Sequence, residues 1–203
     1  MRELGDGIHL WQARHPEWAP GEGWDEIVTS YALDDGEHLL VVDPLAAPAE
    51  LIALAAKRRT SVIVTCPWHR RDAEALAERL GADLFVPPPY ANDPDPMRGR
   101  VYRAGERLEL GVEAFHGLEE NDLVLWVPGH RALIAGDTLI DRGEGLIFPG
   151  DWAARHGDPD QIRESLLGLL ALDVSHVLPT HGLPSDRAAL ELALSQPAHP
   201  KQG

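Results

Sequence analysis

Residues 38–86 alternate between two hydrophobic periods. His38-Leu39-Leu40-Val41-Val42-Asp43, Ser61-Val62-Ile63-Val64-Thr65 and residues 83–86 are short runs rich in β-branched and aliphatic side chains, the pattern of strands buried on both faces. Between them Pro48 opens a segment with apolar residues at Leu51, Leu54 and Ala55. Residues 72–80 then show helical spacing at Leu76, Ala77 and Leu80 and stop at Gly81. A β-α-β-α-β order implies parallel pairing with helices laid over the sheet.

Strands flank this segment on both sides. Residues 7–11 and 26–33 precede it, and Asp34-Asp35-Gly36 turns a hairpin into the run at His38. Pro87-Pro88-Pro89 through Met97 reads as a surface loop. Strands follow at 106–110, 112–115, 123–127 and 132–135, the last two joined by a turn at 128–131. An irregular stretch, 141–157, precedes a helix over 159–172 that Asp158 can cap, a strand at 175–178 and a helix over 185–194. The expected fold class is α+β or α/β: a four-layer αββα sandwich of two mixed sheets flanked by helices. It forms one domain over residues 1–195, with a flexible tail at 196–203.

Composition removes several function classes. The 203 residues carry 18 Lys and Arg against 33 Asp and Glu, a net charge of −15. Such a chain repels phosphate backbones and anionic membranes, so no nucleic-acid or membrane partner is expected. One cysteine excludes an internal disulfide framework and a multi-cysteine zinc site. The first seven residues lack the apolar core of a signal peptide, and the longest apolar runs are too short to span a bilayer. Together with the single thiol this suits a cytoplasmic protein.

Five histidines, His9, His15, His38, His176 and His199, sit singly in strand or loop text and need no metal. Four strand ends are different: Thr65-Cys66-Pro67-Trp68-His69-Arg70-Arg71-Asp72, Phe115-His116-Gly117, Ala135-Gly136-Asp137-Thr138-Leu139 and Pro179-Thr180-His181-Gly182. Each sets His or Asp just beyond a hydrophobic strand. If the four ends converge, three imidazoles and a carboxylate surround one point, a nitrogen and oxygen donor set suited to zinc, iron or manganese.

With these motifs the chain resembles the metallo-β-lactamase-fold hydrolases, and their glyoxalase-II-like branch in particular. Residues 135–139 look like that family's strand and bridging aspartate, residues 179–182 like its terminal histidine, and His116 lies where its middle histidine is expected. His130, only seven positions before Asp137, reads instead as part of a hairpin turn. The family's Thr-His-x-His-x-Asp-His motif is altered: counted from Thr65, Cys66 and Trp68 replace its histidines, and Arg70-Arg71 replace its Asp-His. A one-residue slip brings His69 to the second histidine and Asp72 toward the aspartate. Neither Trp nor Arg ligates a metal.

The resemblance therefore implies one divalent metal on His69, His116, Asp137 and His181, or no metal. It further implies a hydrolase of a small ester, thioester or lactone. Asp137 would be ligand and water-orienting carboxylate, and Asp72 a general base. Trp68, Arg70, Arg71 and Trp152 are candidates for binding a small, anionic substrate, the arginines through bidentate contacts. Cys66 is either an inert small residue, a soft ligand or a nucleophile. The alternative function is a non-catalytic or regulatory small-anion binder on the same fold that has lost its metal site. A homodimer remains possible in either case.

Overall fold

The computed structural model describes residues 1–108 and 111–196. Part of the expected strand at 106–110 and almost all of the tail at 196–203 lie outside the described residues. The chain forms two compact units, one of residues 1–103 and one beginning at Ala104.

The first unit is a seven-stranded sheet in chain order: β1 (Arg2–Gly5), β2 (Ile8–Arg14), β3 (Ile27–Asp34), β4 (His38–Val42), β5 (Arg59–Ile63), β6 (Asp83–Val86) and β7 (Arg100–Val101). Strands β1 to β4 pair antiparallel, whereas β4 to β7 pair parallel. Helices make the first two of the three crossovers, α1 (Ala49–Ala55) and α2 (Ala73–Leu80). Gly81 closes α2 in the left-handed conformation at φ 61°, where a side chain would be strained. The two outer strands are additions to the sequence reading. β1 is polar and bulged against β2, and β7 is two exposed residues long, so neither carries a hydrophobic period.

Leu39, Val41, Leu51, Val62, Val64 and Leu76 form this unit's core with Trp11, whose indole N–H donates to the Leu45 carbonyl at 2.7 Å. Parallel pairing has a positional consequence: β4, β5 and β6 all end at one edge of the sheet, the usual place for a site in such sheets. The loop leaving β4 is fixed there by Ser30, whose hydroxyl donates to the Asp43 carbonyl (2.7 Å) and accepts from the Leu45 amide (3.1 Å).

The second unit is built on a four-stranded sheet. Its strands are β8 (Glu113–His116), β9 (Leu123–Val127), β10 (Ala132–Gly136) and β13 (His176–Pro179), in the order β13-β10-β9-β8. β10 runs parallel to β13, and β9 is antiparallel to β8 and β10. The stretch expected to be irregular contains a short hairpin, β11 (Ile140–Asp141) with β12 (Leu146–Ile147), and the single-turn α3 (Gly150–Ala153). The helix expected over 159–172 is α4 (Pro159–Ser165) followed by a 3₁₀ segment, Leu166–Ala171. The tighter winding puts Leu166 and Leu169, three apart, on one buried face. Arg187 satisfies the carbonyls of Leu170 and Leu172 at its end, both at 2.6 Å. Asp158 caps α4 as expected, and Asp186 caps α5 (Arg187–Ser195). Among the described residues no helix is long and apolar enough to cross a membrane.

Ser30→Ala leaves a buried carbonyl and a buried amide without their shared hydroxyl. The variant is expected to lose about 1–3 kcal/mol of stability, read from denaturant unfolding.

Candidate functional site

In the first unit the site is organised around Asp43, one residue past β4 and 1% exposed. Its carboxylate accepts from the Thr65 amide (2.8 Å) and the Thr65 hydroxyl (2.7 Å), and His69 Nδ1 lies 3.1 Å from Oδ2. Burial pushes the Asp43 carboxyl up. The charges of His69 and Arg71, with hydrogen bonds from His69 and Thr65, outweigh it and hold the group below the ordinary carboxylate range. In its neutral form, and with Asp43 ionised, His69 carries its proton on Nδ1 and its lone pair on Nε2. His69 is itself 2% exposed and closes a 3₁₀ turn, Pro67–His69, that follows β5.

The turn after His69 is laced to the loop after β4. Arg71 donates through Nη1 to the Asp43 carbonyl at 3.0 Å, the Asp72 amide donates to the Pro44 carbonyl at 3.1 Å, and the Ala46 amide donates to an Asp72 carboxylate oxygen at 2.7 Å. Asp43, Ala46 and Arg71 all have left-handed backbones, at φ 45°, 51° and 38°. For side-chain-bearing residues this costs about 1–2 kcal/mol each, and the lacing offsets it. The carboxylate of Asp72, the expected general base, is thus engaged by a backbone amide.

The motif's other replacements have partners of their own. Trp68 stacks on Tyr90 at 6.2 Å and meets His69 edge-on. Arg70 is paired with Glu74 (2.6 Å) and with both the carbonyl and carboxylate of Asp95 (2.9 and 3.0 Å). Cys66 is fully buried, its sulfur 3.9 Å from the Thr65 hydroxyl. His15 lies in the field of Arg71 and His69. Burial lowers its pKa first and those two charges lower it further, against an opposing pull from Glu17.

In the second unit, parallel pairing of β10 and β13 aligns Gly136 with Pro179. Asp137 and His181 therefore leave the same sheet edge side by side, with His181 Nε2 3.5 Å from Asp137 Oδ1 and both residues buried. His116 ends β8 opposite Leu123, at that same edge, and is exposed. His130 lies in the 3₁₀ turn between β9 and β10, at the opposite edge, as the sequence reading has it. Trp152 of α3 meets the His181 ring edge-on, 5.5 Å between centroids.

Two braces hold these turns. Buried Asp122 accepts from the Leu118 amide (2.9 Å) and the Thr138 hydroxyl (2.8 Å), joining the turn after His116 to the residue after Asp137. Gly117 lies so close to Thr138 and Asp122 that any side chain there would collide with them. The Asp141 amide donates to the His181 carbonyl at 2.9 Å, and Gly182, at φ 93°, lies against the Asp141 backbone. Asp43 and Asp122 are absent from the sequence-based site. Asp43 carried a usable signal, because it too is a charged residue directly after an apolar strand.

A family model described as the metallo-beta-lactamase superfamily matches residues 57–181. Among solved structures, the metallo-beta-lactamase DIM-1 is similar with a TM-score of 0.67 at 15% identity, over 95% of this chain and 94% of that one. FIM-1 from Pseudomonas aeruginosa in a mono-zinc form gives 0.62 at 12%, over 95% and 92%. The protein TTHA1623 in a di-iron-bound form gives 0.58 at 22%, over 82% and 93%. No curated protein matches the chain in sequence. The fold is the metallo-β-lactamase fold, as the sequence resemblance implied.

Asp43→Asn tests the centre of the first unit. The folded pKa of Asp43 lies below the unfolded value of about 3.9. Its contribution to stability is therefore complete above that value and is lost as pH falls through the folded pKa. The variant is expected to be less stable than wild type at neutral pH, with the gap narrowing below about pH 4. Urea unfolding of both proteins across pH 3–7 checks this.

Proposed function

The chain belongs to the metallo-beta-lactamase superfamily, and from that premise we propose that it is a metal-dependent hydrolase of a small ester, thioester or lactone, working with one metal. The observation that carries the reading is the contact between His69 Nδ1 and Asp43. Metal-ligating histidines characteristically give their second ring nitrogen to a carboxylate, which fixes the tautomer and the ring.

The donor set fits a divalent metal. His69, Asp137 and His181 are buried and offer two imidazoles and a carboxylate, with His116 as the fourth donor. Trp68, Arg70 and Arg71 offer none, which is why one metal is proposed. Zinc and iron are the first to test, since FIM-1 is a mono-zinc form and TTHA1623 a di-iron form; manganese suits the same donors. A metal there supplies a Lewis acid for the carbonyl and hydroxide near neutral pH. Asp137 orients the attacking water and accepts its proton. Trp152 shields His181 from solvent, and Arg71 holds the Asp43 loop in place. We assign no proton transfer to Asp72. The order of the Asp137 and His181 motifs supports the glyoxalase-II-like branch, and Arg71 and Trp68 favour a small anionic substrate.

A second reading, a small-anion binder without metal, is favoured by the substitutions at Cys66, Trp68, Arg70 and Arg71. Protein purified without chelator is expected to carry stoichiometric zinc, iron or manganese. It is expected to hydrolyse p-nitrophenyl or thioester substrates, to lose that activity in EDTA and to regain it with metal. Asp137→Ala is expected to lower kcat/KM by about 10²–10⁴-fold. Metal-free protein, or activity that survives both EDTA and Asp137→Ala, decides for the second reading or for chemistry elsewhere.

A further inference from the structure

The third crossover of the first sheet, from β6 to β7, is a loop. Residues 87–99 form no helix or strand, and a loop of that length without secondary structure of its own is uncommon in a compact domain and usually functional. Pro87, Pro88, Pro89, Pro94 and Pro96 stiffen it. It is also tied back to α2 and to the turn before it. Tyr90 stacks on Trp68 at 6.2 Å, Arg70 donates to the Asp95 carbonyl and carboxylate at 2.9 and 3.0 Å, and the Arg98 amide donates to Glu74 Oε1 at 3.0 Å. Gly99 ends the loop so close to the Leu84 carbonyl that a side chain there would collide with it.

This loop encloses a cavity of about 370 Å³, within the range that small-molecule sites occupy. Val86, Pro87, Pro89, Met97 and Val101 supply its apolar wall, with Pro67 from the turn that carries His69. Its charged groups are Arg70, Asp93 and Asp95. Arg70 is already matched, since Nε donates to Glu74 at 2.6 Å and Nη1 to Asp95. Asp93 is half-buried, and its Oδ1 accepts from the Asp95 amide at 3.0 Å. Among the described residues no cation pairs with Asp93, and its Oδ2 accepts no hydrogen bond. A carboxylate against an apolar wall is a place where a bound cation gains a charge-assisted hydrogen bond in a medium less polar than water.

We infer that this cavity binds a small molecule with an apolar body and one ammonium group, the body against Val86, Met97 and Val101 and the ammonium on Asp93. The inference does not rest on the hydrolase reading. Because the prolines and the ties to α2 form the cavity in advance, little ordering entropy opposes binding. A net charge of −15 favours the approach of a cation.

The probes are phenethylamine and hexylamine, titrated into the full chain by calorimetry. Phenylpropionate, of similar shape and opposite charge, is the comparison. Wild type is expected to bind both amines saturably and not to bind the carboxylate. Asp93→Asn keeps the acceptor for the Asp95 amide and removes the charge, and its affinity for both amines is expected to fall about ten- to a hundredfold. Val101→Trp fills the cavity from β7 and is expected to abolish binding with Asp93 intact. Denaturant unfolding checks that both variants fold as wild type does. Wild type that binds neither amine, or that binds phenylpropionate equally well, overturns the inference. So does unchanged affinity in Asp93→Asn. Amine binding that survives Val101→Trp is ion pairing at the surface and overturns it as well.

Discussion

A carboxylate with 1% exposure needs partners on every side. Asp43 is that group, and left uncompensated it would cost several kcal/mol. Its partners lie 22 to 28 residues further along the chain and come from one short segment: the Thr65 amide and hydroxyl just past β5, the His69 ring in the following turn, and the charge of Arg71 before α2. Meeting the demand of one oxygen pair therefore fixes two strand ends and a turn as a single body. The left-handed backbones of Asp43, Ala46 and Arg71 are tolerated because the hydrogen bonds between the two loops leave the chain no other path. A binding geometry that had to survive thermal motion would need this kind of over-determination.

The second unit reaches the same end by other means. There the sheet does most of the positioning, since parallel β10 and β13 deliver Asp137 and His181 to one edge whatever their side chains are. Asp122 adds what strand pairing cannot, a link between the turn at Gly117 and the residue after Asp137. Both units thus use a buried aspartate to hold a neighbouring turn, and in neither case does that aspartate have to touch a substrate.

Much of this was legible in the chain. The alternation over residues 38–86 is a backbone requirement, and it placed β4, α1, β5, α2 and β6 within two residues or so of their observed bounds. Hydrophobic strands that end in His or Asp pointed to His69, His116, Asp137 and His181, because the end of a parallel strand is where a polar side chain leaves the sheet. What could not be read was anything decided by tertiary contact. Winding after Ser165 tightens because Leu166 and Leu169 must share a face, and periodicity alone favours one long helix. Arg70 and Arg71 look equivalent in sequence, yet Arg70 turns to Glu74 and Asp95 while Arg71 turns to Asp43.

The altered motif bears on whether the chain is a hydrolase or a binder. Trp68, Arg70 and Arg71 each have a defined partner, so their replacement of ligand types leaves no disorder behind and says little by itself. His69 and Asp43 say more. A buried carboxylate held against an imidazole contributes little net stability, and apolar residues of similar volume are often as good or better. If the site served only to bind an anion through arginine, a carboxylate buried beneath it would oppose that purpose, lowering the positive potential where the ligand must sit. If the site holds a cation, the same carboxylate raises the basicity of His69, fixes its tautomer and adds negative charge where it is wanted. The arrangement of Asp43 and His69 is costly under the first function and useful under the second, which is the physical ground for preferring the metal-dependent reading.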